Sequence, residues 1–258
     1  MQTGTSFWRV NINQTLELLH SHRSDRSFTE QPIAEAELAA IVEAAYRGPT
    51  SINGQQVSLV VVRDPARRAL LAEIAGGQPW IARAPLFITV LIDFAKTARA
   101  VAAAGEQQVI HESVEGFGVG AVDAGIALAN LMLAARSLGL GVVPIGGIRK
   151  DAQAVIDLLE LPQLTFPMCG VAIGHIDQPA RQKPRLPLAT FRHDETYRAD
   201  ALTPGVIADY DATISHYWQE IGRPEGLPWS RNLAGVYKLV YYRDTKPVAA
   251  RQGFLNDK

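Results

Sequence analysis

The spacing of hydrophobic positions changes period several times along the chain, and each change marks an element. Between Asn13 and Ser21, Leu16, Leu19 and His20 fall on one helical face. A polar turn, His22 to Gln31, follows. Pro32 stands where a helix start tolerates a missing N–H, and Leu38, Ile41, Val42 and Ala45 recur at helical spacing until Gly48-Pro49. Thr50 to Gln55 has loop composition. Val57 to Val62 is a β-branched run and predicts a buried strand, as does Leu86 to Ile92. Between them, Asp64-Pro65 opens a helix to about Ala75, which Gly76-Gly77-Gln78-Pro79 breaks. The stretch from Thr97 to Ser113 is weakly patterned, with helix expected near its end. Gly141 to Ile145 and Phe166 to Ile173 predict further strands, around a helix from Asp151 to Leu159. Helix is expected again from Ile207 to Glu220. A Pro/Gly/Trp loop then leads to an expected edge strand at Tyr237 to Tyr242, and the tail after Ser230 shows no clear pattern. Four or five strands separated by helices place the chain in the α/β or α+β class.

One segment departs from ordinary amphipathicity. Val119 to Leu138 is rich in Ala and Gly and apolar nearly all round, so it predicts a helix buried on most sides, backbone-close to other helices. Asp123, Asn130 and Arg136 within it argue against a membrane span.

Composition narrows the picture. The chain has 258 residues, 47% hydrophobic and 20% charged, enough for one large domain or two modest ones. A formal net charge of −1 gives no global field for nucleic acid or acidic lipid. Cys169 is the only cysteine, so no internal disulfide forms, and its apolar setting reads as core rather than nucleophile. The start of the chain, with Trp8 and Arg9, lacks the apolar core of a signal peptide, and a cytoplasmic location is expected. His20, His22, His111, His175, His193 and His216 lack zinc spacing, so no metal is expected. Gly-x-Ser-x-Gly elbows and phosphate-loop Gly-Lys-Ser/Thr motifs are absent.

The candidate chemistry is basic and glycine-rich. His22-Arg23-Ser24-Asp25-Arg26 gathers three potential cations and a hydroxyl, a set that suits a phosphate and equally suits a solvated loop whose arginines pair with Asp25. Lys183-Pro184-Arg185 holds two cations apart on a stiff backbone, as two prongs on one anion or as a surface linker. Gly76-Gly77 and Gly146-Gly147 permit close approach to a flat ligand, or simply make turns. Ser51, Asn53 and Gln55 could pair with a heterocycle edge or cap a loop. Gly116-Phe117-Gly118-Val119-Gly120 has the wrong spacing for a dinucleotide fingerprint.

Taken in order, several segments together resemble the nitroreductase and flavin reductase family, in its larger branch of NADPH-dependent oxygen-insensitive nitroreductases and similar bacterial flavin reductases. The likeness is carried by His22 to Thr29, Pro49 to Gln55, Gly76-Gly77-Gln78, Ser137 to Gly141, Ile145 to Arg149 and Lys183 to Pro187. It implies an α+β sandwich with a central sheet, a buried central helix and a domain-swapped C-terminal extension. Residues 1–200 would form the FMN-binding core and 201–258 the extension. It also implies a homodimer with FMN sites at the interface, in which Val119 to Leu138 is the dimer helix.

The resemblance assigns residues as well. His22, Arg23, Ser24 and Arg26 would hold the phosphate, ribityl chain and one ring edge of FMN, with Lys183 and Arg185 closing on the phosphate. Pro144, Ile145, Gly146 and Gly147 would lie along the ring and Gln78 on its pyrimidine side. Ser51, Ile52 and Asn53 would reach in from the other subunit. Hydride would pass from nicotinamide C4 to flavin N5, without a catalytic triad. Arg26, placed near N1, would favour reduction; one such pair is worth roughly 4 kcal/mol before desolvation at 4 Å and an effective dielectric near 20. The donor would be NADPH or NADH, with Arg223 the candidate for the extra phosphate. Small acceptors (nitroaromatics, quinones, free flavins) would share the donor's pocket in ping-pong order. A non-catalytic flavin carrier or redox regulator of the same fold is the alternative, beside other flavin chemistry on the fold or a flavin-free nucleotide-binding module.

Overall fold

The computed structural model describes residues 12–255 and Asp257. Trp8 and Arg9, on which the leader reading rests, lie outside the described residues. Four strands, β1 (Val57–Val62), β2 (Leu86–Asp93), β3 (Gly141–Ile145) and β4 (Thr165–Gly174), form one sheet in the order β1-β2-β4-β3. Every neighbouring pair is antiparallel. All eight residues of β2 are buried, as a central strand covered on both faces must be.

Side chains alternate along the strands and so feed two cores. Val142, Val171, Ile173, Leu86 and Ile88 face α2 (Glu35–Tyr46) and α6 (Val114–Ser137), where they meet Leu38, Ile41, Leu131 and Ala135. Val143, Ile145, Phe166, Ala172 and Phe87 face the opposite layer. That layer contains α3 (Pro65–Ile74), α4 (Pro79–Arg83), α7 (Ala152–Leu158) and α10 (Thr245–Arg251). A register shift between Val90 and Leu91 puts Leu91 and Ile92 together in this second core. Helices on both faces of an antiparallel sheet make an α+β sandwich.

Polar residues set the helix starts. Asn13 caps α1 (Gln14–His20), Asp64 caps α3, Ser113 caps α6 and Asp151 caps α7, each accepting a backbone N–H three residues on, at 2.7–3.0 Å. Each such cap is worth about 1 kcal/mol. Pro65, Pro79 and Pro204 occupy first turns, where their missing N–H is no loss.

Several elements differ from the expectation. The helix between Thr97 and Ser113 lies at the start of that stretch, as α5 (Phe94–Ala103), because Asp93 caps it through Lys96 N–H at 3.2 Å; only a 3₁₀ turn, Ile110–Glu112, follows. Pro79 does more than break a helix: it opens α4. Tyr237 to Tyr242 is not a strand. α9 (Trp229–Tyr237) runs into it, and Leu239 and Val240 are 54% and 72% exposed, with no strand among the described residues to pair with. The tail thus holds α9 and α10 after α8 (Pro204–Glu220).

α6 is longer than expected and buried on one side. Gly116, Gly120, Asp123, Ala124, Ala127, Leu131 and Ala135 face inward, whereas Val114 and Val122 are 66% and 63% exposed. A Cβ on Gly120 would stand 2.6 Å from Ile92, so glycine there permits helix-to-sheet contact. α6 is long and apolar enough to cross a membrane by length and composition, but it packs in the core and carries buried Asp123. Of the C-terminal extension, α10 packs on its own chain and Phe254 is fully buried in the second core.

Candidate functional site

Residues 22–29 leave α1 and run beside the sheet edge. Asp25 N–H donates to Val142 carbonyl at 3.0 Å, and Phe28 forms an isolated bridge with Ile176. Asp25 is 1% exposed; its Oδ1 accepts from Arg23 Nε at 3.0 Å and from Ala180 N–H at 2.9 Å. One carboxylate therefore ties the first basic segment to the chain that leads into the second. Gln182 Nε2 adds a bond to His20 carbonyl. Tyr210 Oη donates to Pro184 carbonyl at 2.9 Å and Tyr217 Oη to Arg181 carbonyl at 3.4 Å, so α8 braces the second segment from outside. The sequence alone casts Asp25 as a neutralising neighbour; its role as a joint between distant segments depends on the fold.

The result is an accumulation of positive charge. Burial pushes the Lys183 ammonium pKa down, and Arg26, Arg185 and Arg223 push it further. Burial lowers the His22 pKa, with Arg136 and Arg185 adding to it and Asp25 opposing. Arg26 and Arg136 are lowered too, burial first in each case. Among the described residues, Asp25 is the carboxylate acting on His22, Arg26 and Arg136. Aromatic rings support the cations from below. Arg26 lies 5.4 Å from the Trp80 ring, while Lys183 and Arg223 lie 4.4 and 5.4 Å from the Trp218 ring. Arg223 also pairs with Glu225 at 3.3 Å, beside a cavity of about 410 Å³ that Lys183, Tyr210 and Trp218 share. Arg26 Nη1 donates to Ser24 carbonyl at 3.3 Å, and Arg185 Nη1 to Lys183 carbonyl at 3.1 Å.

A second group gathers at the end of β3, where Pro144 and Ile145 pass into a 3₁₀ turn, Gly146–Asp151. A Cβ on Gly147 would lie 2.6 Å from Gln78 Nε2 and 2.8 Å from Ala75 O, so only glycine lets this turn and α4 touch. Gln78 Nε2 donates to Ala75 carbonyl at 2.9 Å. Gly76 and Gly77 reach it through φ of +93° and +77°. Two residues on, the Trp80 indole N–H is buried with no partner among the described residues. Arg149, to which the sequence assigns no role, flanks Gly146; its Nη1 donates to Met168 carbonyl and its guanidinium lies 6.0 Å from the Tyr242 ring.

Ser51, Ile52 and Asn53 go elsewhere. Ser51 N–H donates to Asp123 at 3.2 and 3.3 Å, and Gln56 Nε2 donates to the same carboxylate at 2.6 Å. Burial raises the Asp123 pKa, with the Ser51 N–H opposing. Ile52, Asn53 and Gln55 all have positive φ (49°, 56° and 54°), and Ile52 is 97% exposed. A β-branched residue held there stores about 1–3 kcal/mol of strain. Within one chain these contacts lead to α6, not to the basic pocket. Among the described residues no cluster could hold a metal ion, and burial raises the Cys169 thiol pKa.

The sheet sandwich, with partly buried cations gathered beside its β3 edge, defines an α+β protein. A family model described as the nitroreductase family matches residues 19–175, and one for that family's C-terminal domain matches 183–257; the chain belongs to the nitroreductase family. It is 42% identical over 250 residues to the FMN reductase [NAD(P)H] of Bacillus subtilis (strain 168), covering 96% of this chain and 100% of that one. The solved structure of NfrA2 of B. megaterium is 37% identical with a TM-score of 0.92, over 96% of this chain and 100% of that one. The NADPH:FMN oxidoreductase of Vibrio harveyi, solved in complex with NAD+, is 33% identical with a TM-score of 0.85, over 95% and 100% of the two chains.

Proposed function

We propose that this chain is an FMN-dependent NAD(P)H oxidoreductase that passes electrons to small flat acceptors. One observation carries the reading: cations from residues 22–26 and 183–185 lie near enough to act on one another, and buried Asp25 ties the first segment to the chain leading into the second. Mutually repelling, partly buried cations require an anion, and a phosphate monoester supplies two charges with matching acceptors. The unpartnered Trp80 N–H and the glycine seam of Gly146-Gly147 against Gln78 fit a flat polar ring beside that phosphate.

His22, Arg23, Ser24, Lys183 and Arg185 hold the phosphate and its chain, and Arg26 stands where it can offset negative charge on the ring. Pro144, Ile145, Gly146, Gly147 and Gln78 border the ring, and Arg223 takes the extra phosphate of NADPH. Bound FMN supplies the two-electron chemistry, which no side chain of this set provides. The chain's own part is to orient donor and acceptor in turn on one open face, which gives ping-pong order and admits nitroaromatics, quinones or free flavin. The exposed side of α6, with Val114 and Val122, joins a second copy in a homodimer. Ser51, Ile52 and Asn53 then complete the partner's site, and the strain at Ile52 serves to present this loop. A cytoplasmic enzyme is the consistent setting.

The test is a visible spectrum of the purified protein together with initial rates at varied NAD(P)H and quinone. A flavin absorbance and parallel double-reciprocal lines are expected. A colourless protein that does not take up added FMN overturns the reading, and a yellow protein without turnover replaces it with a flavin carrier.

A further inference from the structure

A second cavity, of about 630 Å³, lies between the start of β2 and the far end of α4 from Gln78. Its lining is apolar at Phe28, Ile33 and Leu86, which are 8%, 9% and 1% exposed. Its charges are lopsided: Arg63, Arg68 and Arg83 against Glu30. Arg63 is engaged by Glu35 in an ion pair. Arg83 has no ion pair among the described residues. Arg68 is held in place, Nη1 donating to the carbonyls of Ala82, at 3.0 Å, and Ala84. Those partners are neutral, and Arg68 Nε is buried with no acceptor among the described residues. Burial lowers the Arg68 pKa, with Asp64 opposing. Arg68 and Arg83 thus line one cavity without an ion pair among the described residues, with Glu30 as the acidic residue in its wall.

We propose that this cavity binds a small organic anion, with a carboxylate or phosphate head on Arg68 and Arg83 and an apolar body against Phe28, Ile33 and Leu86. The site is separate from the basic pocket and does not rest on the flavin reading.

Calorimetric titration of phenyl phosphate into full-length, FMN-saturated protein tests it. One site per chain is expected. Arg83→Gln should weaken it about tenfold, as loss of one charge-assisted contact does, with the melting temperature unchanged. Arg68→Met should weaken it at least as much, and Arg185→Ala, in the other pocket, should leave it unaltered. Inorganic phosphate should bind more weakly than phenyl phosphate. Equal binding by wild type, Arg83→Gln and Arg68→Met overturns the proposal. So does loss confined to Arg185→Ala, which places the anion in the basic pocket, and so does equal affinity for inorganic phosphate. Failure here leaves the flavin spectrum intact, so the two readings fall separately.

Discussion

Arginine and lysine occur in two quite different settings on this molecule. In the loop before α8, Arg192 pairs with Asp194 at 2.8 Å and Arg198 with Asp200 at 3.0 Å. Arg198 there has its pKa raised by the Asp200 hydrogen bond, in open solvent. In the basic pocket, Lys183 and Arg26 are driven the opposite way by burial, and other cations press on each of them. The residue types are the same. What differs is how much counter-charge the fold supplies to each cation. A paired surface cation is worth little to stability, whereas an unpaired half-buried one carries a desolvation cost.

This contrast can be broken experimentally. The largest effect should come from Arg23→Ala or Arg185→Ala, each expected to weaken FMN retention by roughly tenfold to a hundredfold, since each removes a charge-assisted contact. Equilibrium dialysis or flavin fluorescence measures it, and unchanged affinity in both variants would end the assignment of the pocket. Asp25→Ala should cost about 2–3 kcal/mol of stability by urea unfolding, because Ala180 N–H and Arg23 lose their shared acceptor. A cost equal to that of a solvent-exposed substitution would show that Asp25 joins nothing.

Gly147→Ala should cost about 1–3 kcal/mol as its methyl meets Gln78 and Ala75, and its flavin spectrum should shift as Gln78 is displaced. A stable variant with an unaltered spectrum would detach the seam from the ring. The pH effect is smaller. His22 has a folded pKa below its ordinary 6.5, so the unfolded chain binds the proton more tightly. Stability of the flavin-free protein should therefore rise as pH climbs through the folded pKa towards and past 6.5, relative to His22→Asn. Bound FMN, by supplying negative charge, should flatten that rise. A slope of the opposite sign would contradict the positive surroundings of His22. Least of all, Arg198→Ala should leave both melting temperature and FMN affinity unchanged; a loss of either would erase the distinction between the two settings.

Much of the frame was legible from local pattern. The four strands follow from short apolar runs, β-branched at Val57 to Val62, and the start of α3 from Asp64-Pro65, whereas the Ser113 start of α6 was not read. Legibility failed where a partner decides the conformation. Leu239 and Val240 have strand propensity, yet they meet no strand and stay exposed. α6 is apolar all round in composition, but one chain covers only one of its faces. Of the site, His22 to Arg26 and Lys183 to Arg185 stand out by charge alone, whereas Asp25, Trp80, Arg149 and Asp123 do not. Nothing in their neighbouring residues signals that a carboxylate bridges to Ala180, that an indole N–H is orphaned, or that Asp123 anchors the Ser51 loop.

By itself, the chain's order of residues determined its strands, most of its helices and which short segments carry unusual charge or glycine content, because those depend on neighbours within a few positions. Tertiary structure alone decided that Asp25 ties two basic segments far apart in sequence together, that Gly147 must be glycine against Gln78, and that the Ser51 loop turns to α6 instead. Distances across the fold arise from how buried surfaces pack together, and no local spacing encodes them.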